Sequence, residues 1–245
     1  MLMNTQGLVL GRKKVADSDV IITLFTKTQG KLRVYANGAR HPKSKFASGT
    51  QPFVEGEFAL VIKKDLSSLN EITIKDAHVG IRSDMNRLFL GSYMLELIDA
   101  ALEDGDHINK LYDVVVYAIR ALETATDLKV LKVVYGLKIA QKMGFEPVLF
   151  SCSSCGTQKN LTPNFSVNLG GVLCGDCAGH LTGITKITLE HLKWINVALK
   201  SPFSTIQDLN VSDRMITEID FLVDRFIEAH LVRRPLKSLE VLKQM

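Results

Sequence analysis

Cys152, Cys155, Cys174 and Cys177 are all the cysteine the chain contains, spaced C-x2-C-x18-C-x2-C. Two such knuckles can close a tetrahedral thiolate site around one zinc ion. Gly156 and Gly175, which directly follow Cys155 and Cys174, suit tight turns that aim sulfurs and backbone amides at one point. A redox reading needs a single CxxC in a thioredoxin-like βαβ pattern, and the flanking sequence shows none. Paired disulfides need an oxidising compartment, whereas the opening MLMNTQGLVLGRKK lacks the order of a secretion signal. Zinc is the favoured reading. Four thiolates leave no open position for water, so the ion is expected to be structural. His180 is read as a surface residue rather than a further ligand.

Charge divides the chain unevenly. Within residues 1–50, nine cations (Arg12, Lys13, Lys14, Lys27, Lys31, Arg33, Arg40, Lys43 and Lys45) face only Asp17 and Asp19, a net of +7. The whole chain carries +4, so the remainder sums to −3. A basic front end points to a polyanionic partner, the alternative being a solvated lysine-rich surface.

The same region reads as strands. Leu8–Leu10, Val20–Phe25, the alternating run from Gly30 to Ala36, Phe58–Ile62 and Glu71–Lys75 make five short strands. Alternation places Leu32, Val34 and Ala36 inward and displays Lys31, Arg33 and Tyr35 outward; Ile72 and Ile74 are read as inward. Five strands in eighty residues fit a closed barrel of the OB type. The connection Gly38-Ala39-Arg40-His41-Pro42-Lys43-Ser44-Lys45-Phe46 joins cations to an aromatic ring, a combination that suits sequence-independent single-strand binding. The expected nucleic-acid residues are Arg12, Lys13, Lys31, Arg33, Tyr35, Arg40, Lys43, Lys45 and Phe46. Asp17 and Asp19 are read as loop solvation rather than a metal pair.

Beyond Gly80 the period becomes helical. A mostly buried helix spans Leu88 to Leu102, ended by Glu103-Asp104-Gly105-Asp106. Further helices are expected over Ile108–Leu122, Asp127–Met143, Thr188–Leu199 and Ser212–His230. Trp194 is read as core rather than a stacking platform, and His230 as a packed core or boundary residue rather than a ligand. The expected fold class is α+β multidomain. A five-stranded OB-type barrel (1–80) precedes an all-α domain (81–147 and 183–245), which carries a four-cysteine zinc module (148–182). The apolar stretch LFLGSYMLELIDAAL contains Glu96 and Asp99, so it is no bilayer span, and the cytoplasm is the expected location. No GxSxG, P-loop, HExxH or Rossmann glycine pattern occurs, and the chain is read as non-catalytic. A zinc-ribbon adaptor acting as a protein scaffold is the alternative.

Four segments together resemble the bacterial recombination mediator RecO family in its zinc-bearing branch. They are TQGLVLGRKKVADSDVIITLFTKTQGKLRVYANGAR, QPF at Gln51–Phe53, GGVLCGDC at Gly170–Cys177 and RPLKS at Arg234–Ser238. Some members lack the cysteines, which fits a scaffold role for the metal. The resemblance implies binding of single- and double-stranded DNA and annealing of complementary strands. It also implies help in loading RecA recombinase onto DNA coated with single-strand-binding protein, in a nucleoid-associated cytoplasmic protein. It further implies pairing with RecR and contact with the acidic tail of single-strand-binding protein, for which Arg120, Lys129 and Lys132 are candidates; the alternative for these three is a solvated helix face.

Overall fold

Strand β1 (Leu2–Lys14) is long because it belongs to two pairings. Its first half runs antiparallel to β4 (Glu55–Val61) and its second half antiparallel to β2 (Val20–Thr26). The register with β2 slips between Val9 and Gly11, a bulge that sharpens the twist where the strand changes partner. Strand β3 (Gly30–Ala36) pairs with β2, and β5 (Ser67–Asp76) pairs with β4 and, in parallel, with β3. The order β1-β2-β3-β5-β4 closes into a barrel. This is the OB-type architecture expected from the strand pattern. The computed structural model describes residues 2–63 and 66–242.

Val9, Ile22, Leu24, Val34, Phe58 and Leu60 fill the barrel. Phe46 joins them from the long β3–β4 connection, so it is a core residue and not a free stacking ring, which corrects its sequence assignment. Ile74 is a second correction: it is exposed. The β4–β5 pairing slips at Glu55/Gly56 and Ala59/Leu60, and the period-two phase read from sequence is lost there.

By internal contacts the chain forms two compact units, Met1–Glu123 with Leu236–Met245, and Thr124–Pro235. The first unit holds the barrel with α1 (Val79–Ser83), α2 (Met85–Ala101), α3 (Leu111–Thr124) and α8 (Lys237–Leu242). Lys31 lies on the face of β3 that alternation assigns to solvent, yet it is buried there. Its ammonium donates to the Asp99 carbonyl at 2.7 Å near the end of α2. Gly30 adopts φ +64°, and a Cβ there would meet the Asp106 carbonyl oxygen at 1.7 Å, so only glycine lets this turn approach. Helix α8 packs on α2: Leu236 and Leu239 are buried, and Glu96 accepts from the Lys237 and Ser238 amides. The Leu236–Ser238 part of the RPLKS segment is thus a docking latch.

The second unit is built on α4 (Leu128–Lys142), α6 (Leu189–Lys200) and α7 (Asp213–His230), with a cysteine-bearing module between α4 and α6. Asp127, Thr188 and Ser212, each expected to open a helix, accept from backbone amides three residues on, as N-caps do. Trp194 is buried, and His230 sits half-buried against Phe226, with its Nε2 2.6 Å from the Val167 carbonyl oxygen.

Candidate metal centre and nucleic-acid interface

The module is a three-stranded sheet of β6 (Leu161–Ser166), β7 (Gly171–Cys174) and β8 (Ile184–Lys186), ordered β7-β6-β8. The first knuckle is a turn in which Gly156 N donates to Cys152 O at 2.8 Å and Cys152 N to Thr157 O at 2.7 Å. Gly156 has φ +76°, as the turn requires. The second knuckle differs: Cys174 ends β7 and precedes α5 (Gly175–His180), which carries Cys177. Gly175 needs no left-handed backbone, and a Cβ there would meet only Thr162 at 3.9 Å.

All four sulfurs lie within 4.8 Å of one another. The Cys155 and Cys174 sulfurs are 3.8 Å apart. That exceeds the roughly 2.05 Å of a disulfide. It matches the edge, about 3.8 Å, of a tetrahedron with metal–sulfur bonds near 2.3 Å. Burial opposes ionisation of Cys152, but backbone amides of Cys155, Cys174 and Ser154 outweigh it and bring the thiol down to about 6. A hydrogen bond from Ser154 favours the Cys177 thiolate, yet the neighbouring sulfurs of Cys174 and Cys155 dominate and push it up to about 12. Four sulfurs this close share their charge stably only around a cation, so the donor set fits a metal ion. His180 is exposed and outside the cluster.

The second site is one end of the barrel. The β1–β2 tip, the end of β3 and the start of the β3–β4 connection meet there: Arg40 N donates to Ser18 O at 2.8 Å and the Arg12 guanidinium to Ala39 O at 3.0 Å. The Arg12 charge is disfavoured by burial and then by the nearby Arg40 charge. Lys13, Arg40, Lys43 and Lys45 are exposed. Among the described residues, none of Arg12, Lys13, Arg40, Lys43 and Lys45 has a carboxylate within ion-pair distance; Lys14 approaches Asp17 at 3.9 Å. The end of β4 and the start of β5 lie at the same end, because Tyr35 pairs with Ser68 and Val61 with Ser68.

Asp19 organises this end, and the loop-solvation reading of it is corrected. Its carboxylate accepts from the Tyr35 hydroxyl, from Gly38 N at 2.7 Å and from Ser18 Oγ at 2.9 Å. Those bonds, the Tyr35 bond foremost, hold the Asp19 carboxyl below its ordinary 3.8 and raise Tyr35. A depressed carboxylate contributes order above its unfolded value and loses it as the pH falls through its folded value. Protection of the amides around Gly38, taken relative to their intrinsic exchange rate at each pH, is therefore expected to persist down to the ordinary carboxylate value of 3.8 and to fall in more acid solution. Asp19→Asn should abolish that acid step.

Other expected site residues are placed elsewhere. Arg33 is exposed but pairs with Asp104 at 3.0 Å. Arg120, in the first unit, grips the buried Glu55 at 2.8 and 2.9 Å. Lys129 and Lys132 belong to the second unit, where Lys129 reaches Thr217 Oγ1 at 3.1 Å. Lys132 is buried between Asp220, at 2.6 Å, and Asp224, at 2.9 Å. Lys132 is neither an open cation for an acidic tail nor part of a solvated face, because two carboxylates already satisfy it.

Residues 1–78 match the family described as Recombination protein O N terminal, and residues 82–240 match Recombination protein O C terminal. The chain belongs to the RecO family. Three similar RecO proteins place it among curated relatives, each carrying the name DNA repair protein RecO. That of Alkaliphilus metalliredigens is 30% identical, covering 100% of both chains. That of Exiguobacterium sp. is 31% identical over 100% of this chain and 97% of its own. That of Thermoanaerobacter sp. is 29% identical over 94% of this chain and 93% of its own. The two RecO matches part at residues 78 and 82, where the barrel gives way to α1 and α2. Among the described residues no helix is long and apolar enough to cross a membrane.

Proposed function

We propose that the protein is a non-catalytic DNA-binding mediator of recombination in DNA repair. On this reading it binds single- and double-stranded DNA, anneals complementary strands and helps load RecA onto strands coated with single-strand-binding protein. The observation that carries it is the barrel end, where Arg12 and Arg40 lie near each other and Lys13, Lys43 and Lys45, close to them in sequence, are exposed, none of the five with a carboxylate at ion-pair distance among the described residues. OB barrels use the β1–β2 and β4–β5 loops and the β2–β3 face for oligonucleotides. Two guanidiniums held near each other gain by meeting phosphates, and cations that neutralise two strands at once lower the repulsion opposing annealing. Tyr35, anchored through its hydroxyl to Asp19, keeps a half-buried ring that is the candidate stacking surface.

The metal is zinc, held by Cys152, Cys155, Cys174 and Cys177 in a structural role, as the sulfur spacing supports. Pairing with RecR, contact with the acidic tail of single-strand-binding protein and a cytoplasmic, nucleoid-associated location rest on family membership. Among the three cations named for the tail, Lys129 is exposed and bound only to a hydroxyl, so it is the one to test first.

Fluorescence anisotropy on a labelled single strand, titrated across salt, tests the DNA reading. Arg40→Ala/Lys43→Ala/Lys45→Ala is expected to weaken binding and to flatten the log–log salt slope by roughly 0.7 per lost contact, about 2 in all. An unchanged slope would remove this end of the barrel as the site. Absence of binding by the unaltered protein at moderate salt would favour the adaptor reading.

A further inference from the structure

Three side chains outside both sites converge within the first unit. Asp76 ends β5, His78 precedes α1, and Glu123 lies in the last turn of α3. Each offers a donor atom, and the three atoms lie within 4.8 Å of one another. His78 Nδ1 stands 3.1 Å from Glu123 Oε2 and 3.7 Å from Asp76 Oδ1. Asp76 Oδ1 also accepts from His78 N at 2.8 Å, which fixes the carboxylate's orientation.

The imidazole has no solvent exposure, and its Nε2 faces Glu55 Oε2 at 3.8 Å. That nitrogen has no hydrogen-bond partner among the described residues. A single ring proton cannot satisfy this surrounding. Placed on Nδ1 it serves Glu123 but leaves the Nε2 lone pair against the Glu55 carboxylate. Placed on Nε2 it leaves the Nδ1 lone pair against two carboxylates, a costly arrangement in a buried position. A second ring proton would resolve both conflicts, and so would a metal cation beside Nδ1. The ring nitrogen and two carboxylate oxygens then donate to the metal, and Nε2–H turns to Glu55. Metal-bound histidines generally keep such an outer carboxylate partner. Glu55 is itself fixed by Arg120, so the acceptor is already in place.

We propose that Asp76, His78 and Glu123 bind a divalent first-row transition ion, with water completing its shell. The nitrogen–oxygen separations of 3.1 and 3.7 Å are close to the donor–donor edges of such sites. With bonds of about 2.1 Å those edges are about 3.0–3.4 Å. Asp76 is exposed and Glu123 half-exposed, so solvent reaches the ion. A set of one imidazole and two carboxylates admits Mn2+, which does not favour thiolates and so separates this site from the cysteines. Bound there, the ion fastens the end of a barrel strand to α3.

The test is calorimetric titration of Mn2+ into full-length protein whose cysteine site is already loaded with zinc, together with 15N spectra of the imidazole. One Mn2+ per chain is expected, with a saturable rise in melting temperature and selective broadening of the amides at Ala77, Val79 and Gly80. Asp76→Asn and Glu123→Gln should each weaken Mn2+ at least tenfold, leaving zinc content and circular dichroism unchanged. Failure to take up Mn2+, or uptake that neither variant weakens, overturns the site. So does a His78 ring that carries protons on both nitrogens while Mn2+ is present.

Discussion

Cys174→Ser is expected to release the bound zinc and unfold the module from residue 148 to residue 182, while single-strand binding by the barrel survives in larger part. Cys174 is buried at the junction of β7 and α5, so its loss removes a ligand and opens a small core shared with Cys152 and Leu173. Structural zinc contributes on the order of 10 kcal/mol of apparent binding free energy to sites of this kind. A whole domain has a net stability of only about 5–15 kcal/mol. The measurements are metal content, hydrogen exchange in the module, and DNA affinity at one fixed salt. A variant that kept its zinc and its melting temperature would contradict the four-thiolate centre. Loss of DNA affinity as complete as the loss of metal would contradict the separation of roles.

Lys132→Met is the second large effect, expected to destabilise the second unit by about 3–5 kcal/mol, because it takes the ammonium away from the buried Asp224 carboxylate. Asp220 sits nearer solvent and can hydrate, so Asp224 accounts for most of the cost. Combining Lys132→Met with Asp224→Leu should recover much of the loss, since a packed apolar pair often equals or exceeds a buried ion pair. Chemical denaturation of the single and double variants separates these cases. If the single variant proved as stable as the parent, Lys132 would be a surface cation after all.

The elements most legible in the sequence were those governed by local rules. Asp127, Thr188 and Ser212 announced helix starts because a short oxygen-bearing side chain before an apolar stripe has one good use there. Gly30 to Ala36 showed its alternation because one face of β3 meets the barrel core. Alternation reports which side of a strand faces inward and nothing of what covers the other side. Alternation therefore assigns Lys31 to solvent, although α2 lies over it. Phe46 misled for a related reason: a ring in a basic connection resembles a stacking surface until the barrel interior is seen to contain it. The cysteines were readable because two ligands sit in each knuckle. Asp76, His78 and Glu123 were not, since the third donor lies forty-five residues beyond the second.

The latch formed by α8 has a consequence for biosynthesis. The first unit is split in sequence, and its closing piece, from Leu236 onward, emerges from the ribosome after the whole second unit. Until then Glu96 lacks the two amides it will receive, and the surface of α2 that takes Leu236 and Leu239 stays open to water. A nascent chain stalled before that point presents chaperones and proteases with an unsealed apolar flank, so the barrel's own unit completes its folding only after the whole second unit has been made.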